Sequence, residues 1–200
     1  GPVHELGFFS MTHEGLEEVP HINQHMLEET VHAPGSVLVS SLEGSRPILL
    51  EIQALTVPTK FNVPQRIITG LDHKRVVLIA AILEKYLHIK FSAHDIFVKV
   101  SGGIKIEESS ADLAIALALL SSYFQQALPE KTMALAELSL TGAIKPINGI
   151  ESQLKEAQKF GIQSLYVASN QKISTSNMIK VKNVYQLLEL FSVNPGQKGS

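Results

Sequence analysis

The sequence of 200 residues contains no cysteine. The chain therefore forms neither disulfides nor thiolate metal sites, and this composition is typical of a cytoplasmic protein. Long hydrophobic runs are missing as well, since "VVLIAAIL" at residues 76–83 is far too short to cross a bilayer. No amino-terminal stretch has the charged, apolar and small-residue order of a signal peptide. We expect a cytoplasmic protein with no membrane partner.

A strong charge of either sign is also absent, because the formal net charge is −2. A domain that grips nucleic acid by bulk electrostatics is strongly basic, so any nucleic-acid surface here must be a local patch. The phosphate-binding pattern G-x-x-x-x-G-K-[ST] does not occur either, and we expect no ATP hydrolysis and no cofactor in the chain as given. Apolar residues make up 44% of the sequence, which is ordinary for a globular domain.

Organisation changes after the first 35 residues, which hold five of the eight histidines. We interpret residues 1–35 as a connecting segment with a short helix near 23–31, capped by Asn23. Residues 36–192 form the main domain, in which "SVLVSSL" and "PILLEIQALTV" make a hairpin across the turn "EGSR". Residues 193–200, "NPGQKGS" among them, are predicted to be a disordered tail.

Strand and helix patterns interleave through the main domain. Strands are predicted at "RIITG", "DIFVKVSGG", "MALAELSL" and "SLYVAS", with a turn-rich strand pair at "TGAIKPING". Helices are predicted over 72–88, from Ser109 or Ser110 onward, over 149–160 and at "VYQLLELF". Since several strands pair as hairpins, we predict an α+β fold in which helices pack on a mixed β-sheet.

The histidines do not predict a metal site. His21 and His25 are four residues apart, as on one helix face, but the glutamate of H-E-x-x-H is missing. His32, His88 and His94 add no ligand pattern. We expect all five to be solvated side chains.

Ser110 begins an apolar helix in "KIEESSADLAIALAL", residues 105–119. A nucleophilic serine needs a base within hydrogen-bond reach and donors for the oxyanion, and a helix N-terminus supplies only the donors. Alternatively, Ser109 with Asp112 three residues on has the spacing of a capping box. Without a base we interpret Ser110 as a helix cap.

Two segments carry a family resemblance. "AELSLTGAIKPINGIESQLKEAQKFGIQSLYVAS" resembles the proteolytic domain of the Lon proteases, and "ESSADLAIALALLSS" resembles their nucleophile motif. The resemblance places Ser110 at the catalytic serine, Glu151 at the catalytic lysine and Asp112 where the proteases keep glycine. It implies a Lon-like fold with a vestigial dyad.

Glu151 is a poor replacement for the lysine. A Ser–Lys dyad uses a lysine of depressed pKa as its base, whereas a glutamate, with a pKa near 4.3, is a much weaker base towards a hydroxyl. Glu151 also has structural alternatives, a capping box with Asn148 and an ion pair with Lys155. We therefore predict no catalytic residues. The alternative is a Lon-like serine peptidase with an unorthodox base.

A narrower resemblance covers residues 5–192. "SLEGSRPILLEIQALTV", "PQRIITGLDHKRVVLIAAIL" and "FVKVSGGIKIEESSADLAIALAL" resemble the C-terminal Lon-like domain of a family of bacterial DNA repair ATPases, and "ELGFFSMTHEGLEEV" resembles the end of their ATPase core. The resemblance implies a fragment of a RecA-like helicase that forms homohexamers, drives branch migration and works with a recombinase on branched or single-stranded DNA. ATP, Mg²⁺ and Zn²⁺ are implied for the full-length protein, not for this fragment.

Four basic residues in the family-like segments are candidate DNA contacts, because basic groups near helix starts and glycine turns hold phosphates. The alternatives are solvated surface or an Arg–carboxylate pair at a subunit interface. A pure assembly module without DNA affinity also stays open. The candidates are Arg66, Lys74, Arg75 and Lys105.

Overall fold

The computed structural model describes residues 15–191, with side chains from His21 onward. Two predictions lie outside the described residues: the tail over 193–200, and most of the segment that resembles an ATPase core. Within the described part, no helix is both long enough and apolar enough to span a bilayer.

The secondary structure alternates as the sequence predicts. The α-helices are α1 (Gly15–Glu29), α2 (His73–Leu87), α3 (Asp112–Phe124) and α4 (Glu151–Lys159). The strands are β1 (Ser36–Glu43), β2 (Arg46–Pro58), β3 (Arg66–Thr69), β4 (His94–Val100), β5 (Thr132–Leu135), β6 (Glu137–Leu138), β7 (Ile144–Lys145), β8 (Ser164–Ala168) and β9 (Met178–Val181). Short 3₁₀ helices cover Phe91–Ala93, Ser101–Gly103, Ser109–Ala111 and Val184–Leu190.

Seven strands form one sheet in the order β3-β4-β2-β1-β5-β8-β9, and β6 pairs with β7 separately. Strand β2 is antiparallel to both neighbours, whereas every other neighbouring pair is parallel. The sheet is mixed and flanked by helices, as predicted, but it is mostly parallel, so the fold is α/β. Six strands consequently finish at one end, which we call the carboxyl end of the sheet.

Helices α2 and α3 cover one face of the sheet. The sequence "LAIALALL" gives α3 no polar side, and every α3 residue except Phe124 is buried. A helix that is apolar all round must be enclosed, and α3 lies between the sheet and α2. This core fixes where α3 begins, at the carboxyl end of the sheet.

The opposite face is covered over only part of its width. Met26 of α1 and Leu154 of α4 pack in a second apolar cluster with side chains from β1, β5 and β8. Within residues 15–191, no helix gives such cover to the half formed by β3, β4 and the end of β2, and Leu55 and Ile67 are 55% and 51% exposed there.

The prediction for Asn23 was wrong. Asn23 lies inside α1, fully buried, rather than at its start. Its side-chain amide donates to the Pro47 carbonyl at 3.1 Å and to Glu156 at 2.8 Å, and its oxygen accepts from the Leu49 amide at 2.9 Å. Strand β4 pairs with β2 only from Ile52 onward, so the Leu49 amide has no strand partner on that side. The side-chain oxygen of Asn23 is the acceptor for the Leu49 amide instead.

Two further elements differ from the predictions. Strand β9 was not predicted, and it extends the sheet by parallel pairing with β8. The last predicted helix is a 3₁₀ helix, Val184–Leu190, whose first turn is capped by the Asn183 side chain accepting from the Tyr185 amide. The β1–β2 hairpin and the helix predicted over 72–88 are confirmed.

Candidate functional site

Ser110 lies in a 3₁₀ turn that precedes α3 and contacts the end of β5. The Ala136 amide donates to the Ser110 carbonyl at 3.1 Å, and the Leu113 amide donates to the Ala136 carbonyl at 3.1 Å. Ala111 occupies the N-cap position of α3, without a side-chain cap. Neither Ser109 nor Ser110 therefore caps the helix with its hydroxyl, contrary to our prediction. Ser110 is held in place by backbone bonds and is only 6% exposed.

Glu151 is the first residue of α4 and is exposed. Ile150, not Asn148, occupies the N-cap position, so the predicted capping box does not form. Within residues 15–191, no ion pair joins Glu151 to Lys155, and no hydrogen bond joins Glu151 to Ser110. Glu151 suits the positive end of the helix dipole, but this structure does not join it to the serine as a catalytic pair.

Asp112 is the charged centre of this region. It is 1% exposed at the start of α3, and Arg75 of α2 binds it through two nitrogens on one edge of the guanidinium. Arg75 Nε donates to Asp112 Oδ1 at 2.6 Å, a second guanidinium nitrogen donates to Oδ2, and the Leu138 amide also donates to Oδ2 at 3.0 Å. The predicted Arg–carboxylate pair therefore exists, but within one chain. Asp72 instead accepts from the Lys74 amide at the start of α2.

The ionisation of this pair reflects its burial. Burial raises the pKa of the Asp112 carboxyl, while the hydrogen bonds from Arg75 and the Leu138 amide oppose the rise. The same bond raises the pKa of Arg75. The bidentate guanidinium and the amide thus offset part of the cost of burying the Asp112 carboxylate. The pair thus ties α2, α3 and β6 together behind the Ser110 turn.

The guanidinium of Arg66 is also hydrogen-bonded within the domain. Its guanidinium donates to the Phe91 carbonyl at 2.8 Å, to the Gln65 carbonyl at 3.1 Å and to the His94 carbonyl. Burial lowers the pKa of this group. Arg66 starts β3, so it lies at the opposite end of the sheet from the Ser110 turn.

Lys74 and Lys105 lie together at the carboxyl end. The Ile106 amide donates to the Gly70 carbonyl at 2.8 Å, and Ile106 forms a parallel bridge with Leu71, which joins the loops that follow β3 and β4. Both lysines are exposed, and Lys105 Nζ is 3.7 Å from the Glu107 carboxylate. Of the four candidate DNA contacts, Lys74 and Lys105 are therefore the two that are exposed and lie in adjoining segments at this end of the sheet.

The histidines are dispersed. His25 lies 3.1 Å from Glu29 on α1, and a ring nitrogen of His32 is 2.7 Å from the Leu128 carbonyl. His94 was predicted to be solvated, but it is 5% exposed, and its Nδ1 is 2.7 Å from the Lys90 carbonyl. Among residues 15–191, no three acidic or histidine side chains are grouped to hold a metal ion.

These features define a class of protein, an α/β domain with a mostly parallel sheet whose serine turn is supported by a buried Arg–Asp pair. The chain belongs to the family whose model is described as "Subunit ChlI of Mg-chelatase", which matches residues 62–171. That segment contains the Ser110 turn and both members of the ion pair.

Individual relatives are named DNA repair protein RadA. The chain is 37% identical over 192 residues to the one from Aquifex aeolicus, covering 95% of this chain and 43% of the relative. It is 42% identical over 171 residues to the one from Streptococcus pneumoniae, covering 85% and 41%, and 40% identical over 168 residues to the one from Bacillus subtilis, covering 84% and 37%. The chain spans about two fifths of the length of these relatives. Their name agrees with the predicted family of bacterial DNA repair proteins.

Proposed function

We propose that this chain is the non-catalytic, Lon-like scaffold and DNA-binding domain of a hexameric, ATP-dependent helicase for DNA repair and recombination. The observation that carries the proposal is the identity of about 40% to proteins named DNA repair protein RadA across most of the chain. Branch migration on forked or single-stranded DNA, together with a recombinase, is the activity of the whole protein in this proposal. Its site of action is the cytoplasm.

The arrangement around Ser110 favours a scaffold over a peptidase. Asp112 stands where a Lon protease keeps glycine. Its carboxylate forms an ion pair with Arg75 inside the domain and does not face a substrate site. Glu151 stands where the base would be, exposed and not bonded to Ser110. A weak and solvated base does not activate a serine hydroxyl at neutral pH. Ser110 and Glu151 are thus the vestigial dyad positions.

DNA contact falls first on Lys74 and Lys105, which are exposed and follow the adjoining segments joined by the Leu71–Ile106 bridge. Lys74 is in the first turn of α2, where free amides and the helix dipole also favour a phosphate. Arg75 is about one-third exposed and adds positive charge beside them, but its hydrogen bonds are directed to Asp112. Arg66 adds least to the positive potential at this surface, because it lies at the other end of the sheet.

The remaining parts of the proposal concern the longer protein. Because the relatives are more than twice as long as this chain, a nucleotide-binding core and a zinc site would lie outside it. ATP and Mg²⁺ belong to that core, and Zn²⁺ to a cysteine-bearing segment. The present domain would then contribute subunit contacts in the ring and one surface for DNA.

Light scattering of the 200-residue chain, with and without a fork-shaped DNA, tests the proposal. We expect a hexamer that binds the fork and a loss of affinity in the Lys74→Gln, Lys105→Gln variant. The matched control is Lys60→Gln, Lys90→Gln, which removes the same charge at the other end of the sheet. A monomer that does not bind the forked DNA at low salt would show that other parts of the longer protein provide assembly and DNA binding.

Peptidase activity is the second candidate, and it is favoured by one observation. No described residue hydrogen-bonds the Ser110 hydroxyl, so it is available as a nucleophile if a base approaches. A casein-release assay of the chain, with Ser110→Ala as control, separates the two functions. We expect no difference between the two proteins.

A further inference from the structure

The turn before α4 contains an asparagine that is followed by glycine. Of the seven asparagines in the sequence, only Asn148 precedes a glycine, Gly149. Both residues are exposed. The side-chain amide of an asparagine can react with the backbone nitrogen of the next residue, and the approach is least hindered when that residue is glycine, which has no Cβ. The pair therefore has the composition of a site of spontaneous deamidation.

The folded turn leaves both reacting groups free. Over residues 15–191, no hydrogen bond engages the Asn148 side-chain amide or the Gly149 backbone N–H. Beyond the neighbouring residues, no atom lies within 4 Å of the position that a Cβ of Gly149 would occupy. The pair also lies outside every helix and strand, since α4 begins at Glu151. Neither packing nor secondary structure holds the two groups apart.

The other described asparagines lack one of these conditions. Asn23 is buried and bonded, and the side chains of Asn177 and Asn183 are hydrogen-bonded to the Ile162 carbonyl and the Tyr185 amide. Two more are exposed but precede larger residues, and they serve as internal controls. They are Asn62, before valine, and Asn170, before glutamine.

We propose that Asn148 deamidates spontaneously in the folded chain, and that the isoaspartate formed there releases the start of α4. The Gly149 nitrogen attacks Asn148 Cγ, the bond from Cγ to the side-chain nitrogen breaks, and that nitrogen leaves as ammonia with the proton from Gly149. Water then opens the cyclic imide at either carbonyl carbon. Opening at the side-chain carbonyl gives aspartate, whereas opening at the main-chain carbonyl gives isoaspartate, in which the backbone continues through Cβ and Cγ.

The turn is fixed on both sides, so the two products differ in their effect. Before the pair, the Ile147 amide donates to the Gln171 side chain at 3.2 Å, and the Gln171 side chain donates to the Ile147 carbonyl at 3.0 Å. After the pair, Ile150 is 2% exposed, and its carbonyl accepts from the Leu154 amide at 2.9 Å. Isoaspartate adds one methylene carbon to the backbone between these fixed points, whereas aspartate leaves the backbone length unchanged.

The rest of α4 cannot shift freely to accept the extra carbon. Gln153 donates to the Ser40 carbonyl at 3.2 Å, and Glu156 accepts from Asn23 at 2.8 Å, so α4 is bonded to β1 and to α1. The extra carbon is therefore accommodated by loss of the Gln171 bonds to Ile147 or by opening of the first turn of α4. Aspartate at the same position carries the same charge, which suits a helix N-terminus.

The first test is chemical. The 200-residue chain is incubated at mildly alkaline pH, and its peptides are analysed by mass spectrometry and by enzymatic methylation of isoaspartate. We expect the peptide that contains residue 148 to gain one dalton at a rate within about tenfold of a synthetic peptide of the same sequence, because an exposed turn needs little local opening. Peptides with Asn62 and Asn170, and the whole Asn148→Gln variant, should show no isoaspartate over the same time.

The second test is structural. The isoaspartyl chain, separated by ion exchange, is compared with Asn148→Asp, which has the same charge and a normal backbone. We expect a lower urea midpoint and faster amide exchange at Ile147 in the isoaspartyl chain alone. An Asn148 that stays intact in the folded chain while the synthetic peptide reacts would overturn the proposal, and so would unchanged exchange at Ile147 in the isoaspartyl chain. Neither outcome bears on DNA binding or assembly, on which this inference does not depend.

Discussion

At the scale of single residues, Asp112 decides how the Ser110 region is built. A buried carboxylate is costly without a counter-charge and hydrogen bonds, and here Arg75 and the Leu138 amide offset part of that cost. The resemblance to Lon proteases marked Asp112 as a departure from glycine. The resemblance did not indicate Arg75 as the partner of Asp112, because Arg75 lies 37 residues earlier on another helix.

Replacing Arg75 by glutamine should destabilise the fold. The variant leaves Asp112 buried without a counter-charge, and we expect a loss of about 3 kcal/mol in the free energy of unfolding. Urea denaturation followed by circular dichroism measures it. Lys74→Gln, one residue earlier and exposed, should change stability by less than about 0.5 kcal/mol.

A double variant provides the control for this interpretation. Arg75→Met with Asp112→Asn removes both charges and keeps an acceptor for the Leu138 amide, so it should recover most of the lost stability. If the double variant is as unstable as Arg75→Gln, the cost lies in lost packing of the arginine stem rather than in an uncompensated charge.

Asp112 should also give stability a pH dependence. Because its pKa is raised in the folded state, the folded chain binds this proton more tightly than the unfolded chain does. The contribution of this group to stability is therefore full below its ordinary pKa of 3.8 and is lost as pH rises through the folded pKa. Urea midpoints measured from pH 7 to pH 4 should show this gain in wild type relative to Asp112→Asn. A constant difference between the two proteins would contradict it.

At the scale of elements, α1 packs on the sheet through its interior face. Its interior Asn23 bonds to β2 and to α4, and Ile22 and Met26 beside it are buried. The sequence placed Asn23 at a helix start because asparagine favours N-caps. Tertiary structure overrode that preference, since a strand amide at Leu49 required an acceptor.

Asn23→Ala should loosen α1. The change leaves the buried Leu49 amide and the Pro47 carbonyl without their partner, so we expect a loss of about 2–3 kcal/mol in the free energy of unfolding. Amide hydrogen exchange should quicken at Leu49 and along α1. Gln24→Ala, on the exposed side of the same helix, is the matched control and should leave exchange at Leu49 unchanged.

At the scale of the whole molecule, two apolar clusters lie on opposite faces of the same sheet. Strands β1, β2, β5 and β8 contribute side chains to both clusters, alternately along each strand. Neither face can lose its packing without removing support from the strands of the other. The described part of the chain should therefore unfold as one cooperative unit.

This cooperativity is open to measurement. Leu117→Ala in α3 and Leu154→Ala in α4 each create a cavity on a different face, and each should cost about 2–5 kcal/mol. Far-ultraviolet circular dichroism reports on helices, and near-ultraviolet signals report on Tyr123 and Tyr166, which are buried. The two signals should coincide in both variants. Separate transitions would mean that the faces fold independently.

The local patterns predicted most elements. The β1–β2 hairpin follows from two β-rich runs around "EGSR", and α3 follows from an uninterrupted apolar segment. Strand β9 was missed because "MIKV" is short and because it pairs, among the described strands, with β8 alone, which supplies no local signal. The predicted caps by Ser110 and by Asn148 with Glu151 were wrong. Backbone bonds to Ala136, directly after β5, hold the first helix start, and Ile150 occupies the second N-cap position without a side-chain hydrogen bond.

The sequence by itself determined most of the elements and their order, the departure from a Ser–Lys dyad and the resemblance to DNA repair proteins. These depend on residue type, local periodicity and motif spacing, which are all read along the chain. Only the tertiary structure decided which charges are free. It enclosed Arg75 with Asp112, placed Arg66 at the far end of the sheet and brought Lys74 and Lys105 into adjoining segments, because strand direction and burial, not sequence distance, set which side chains meet.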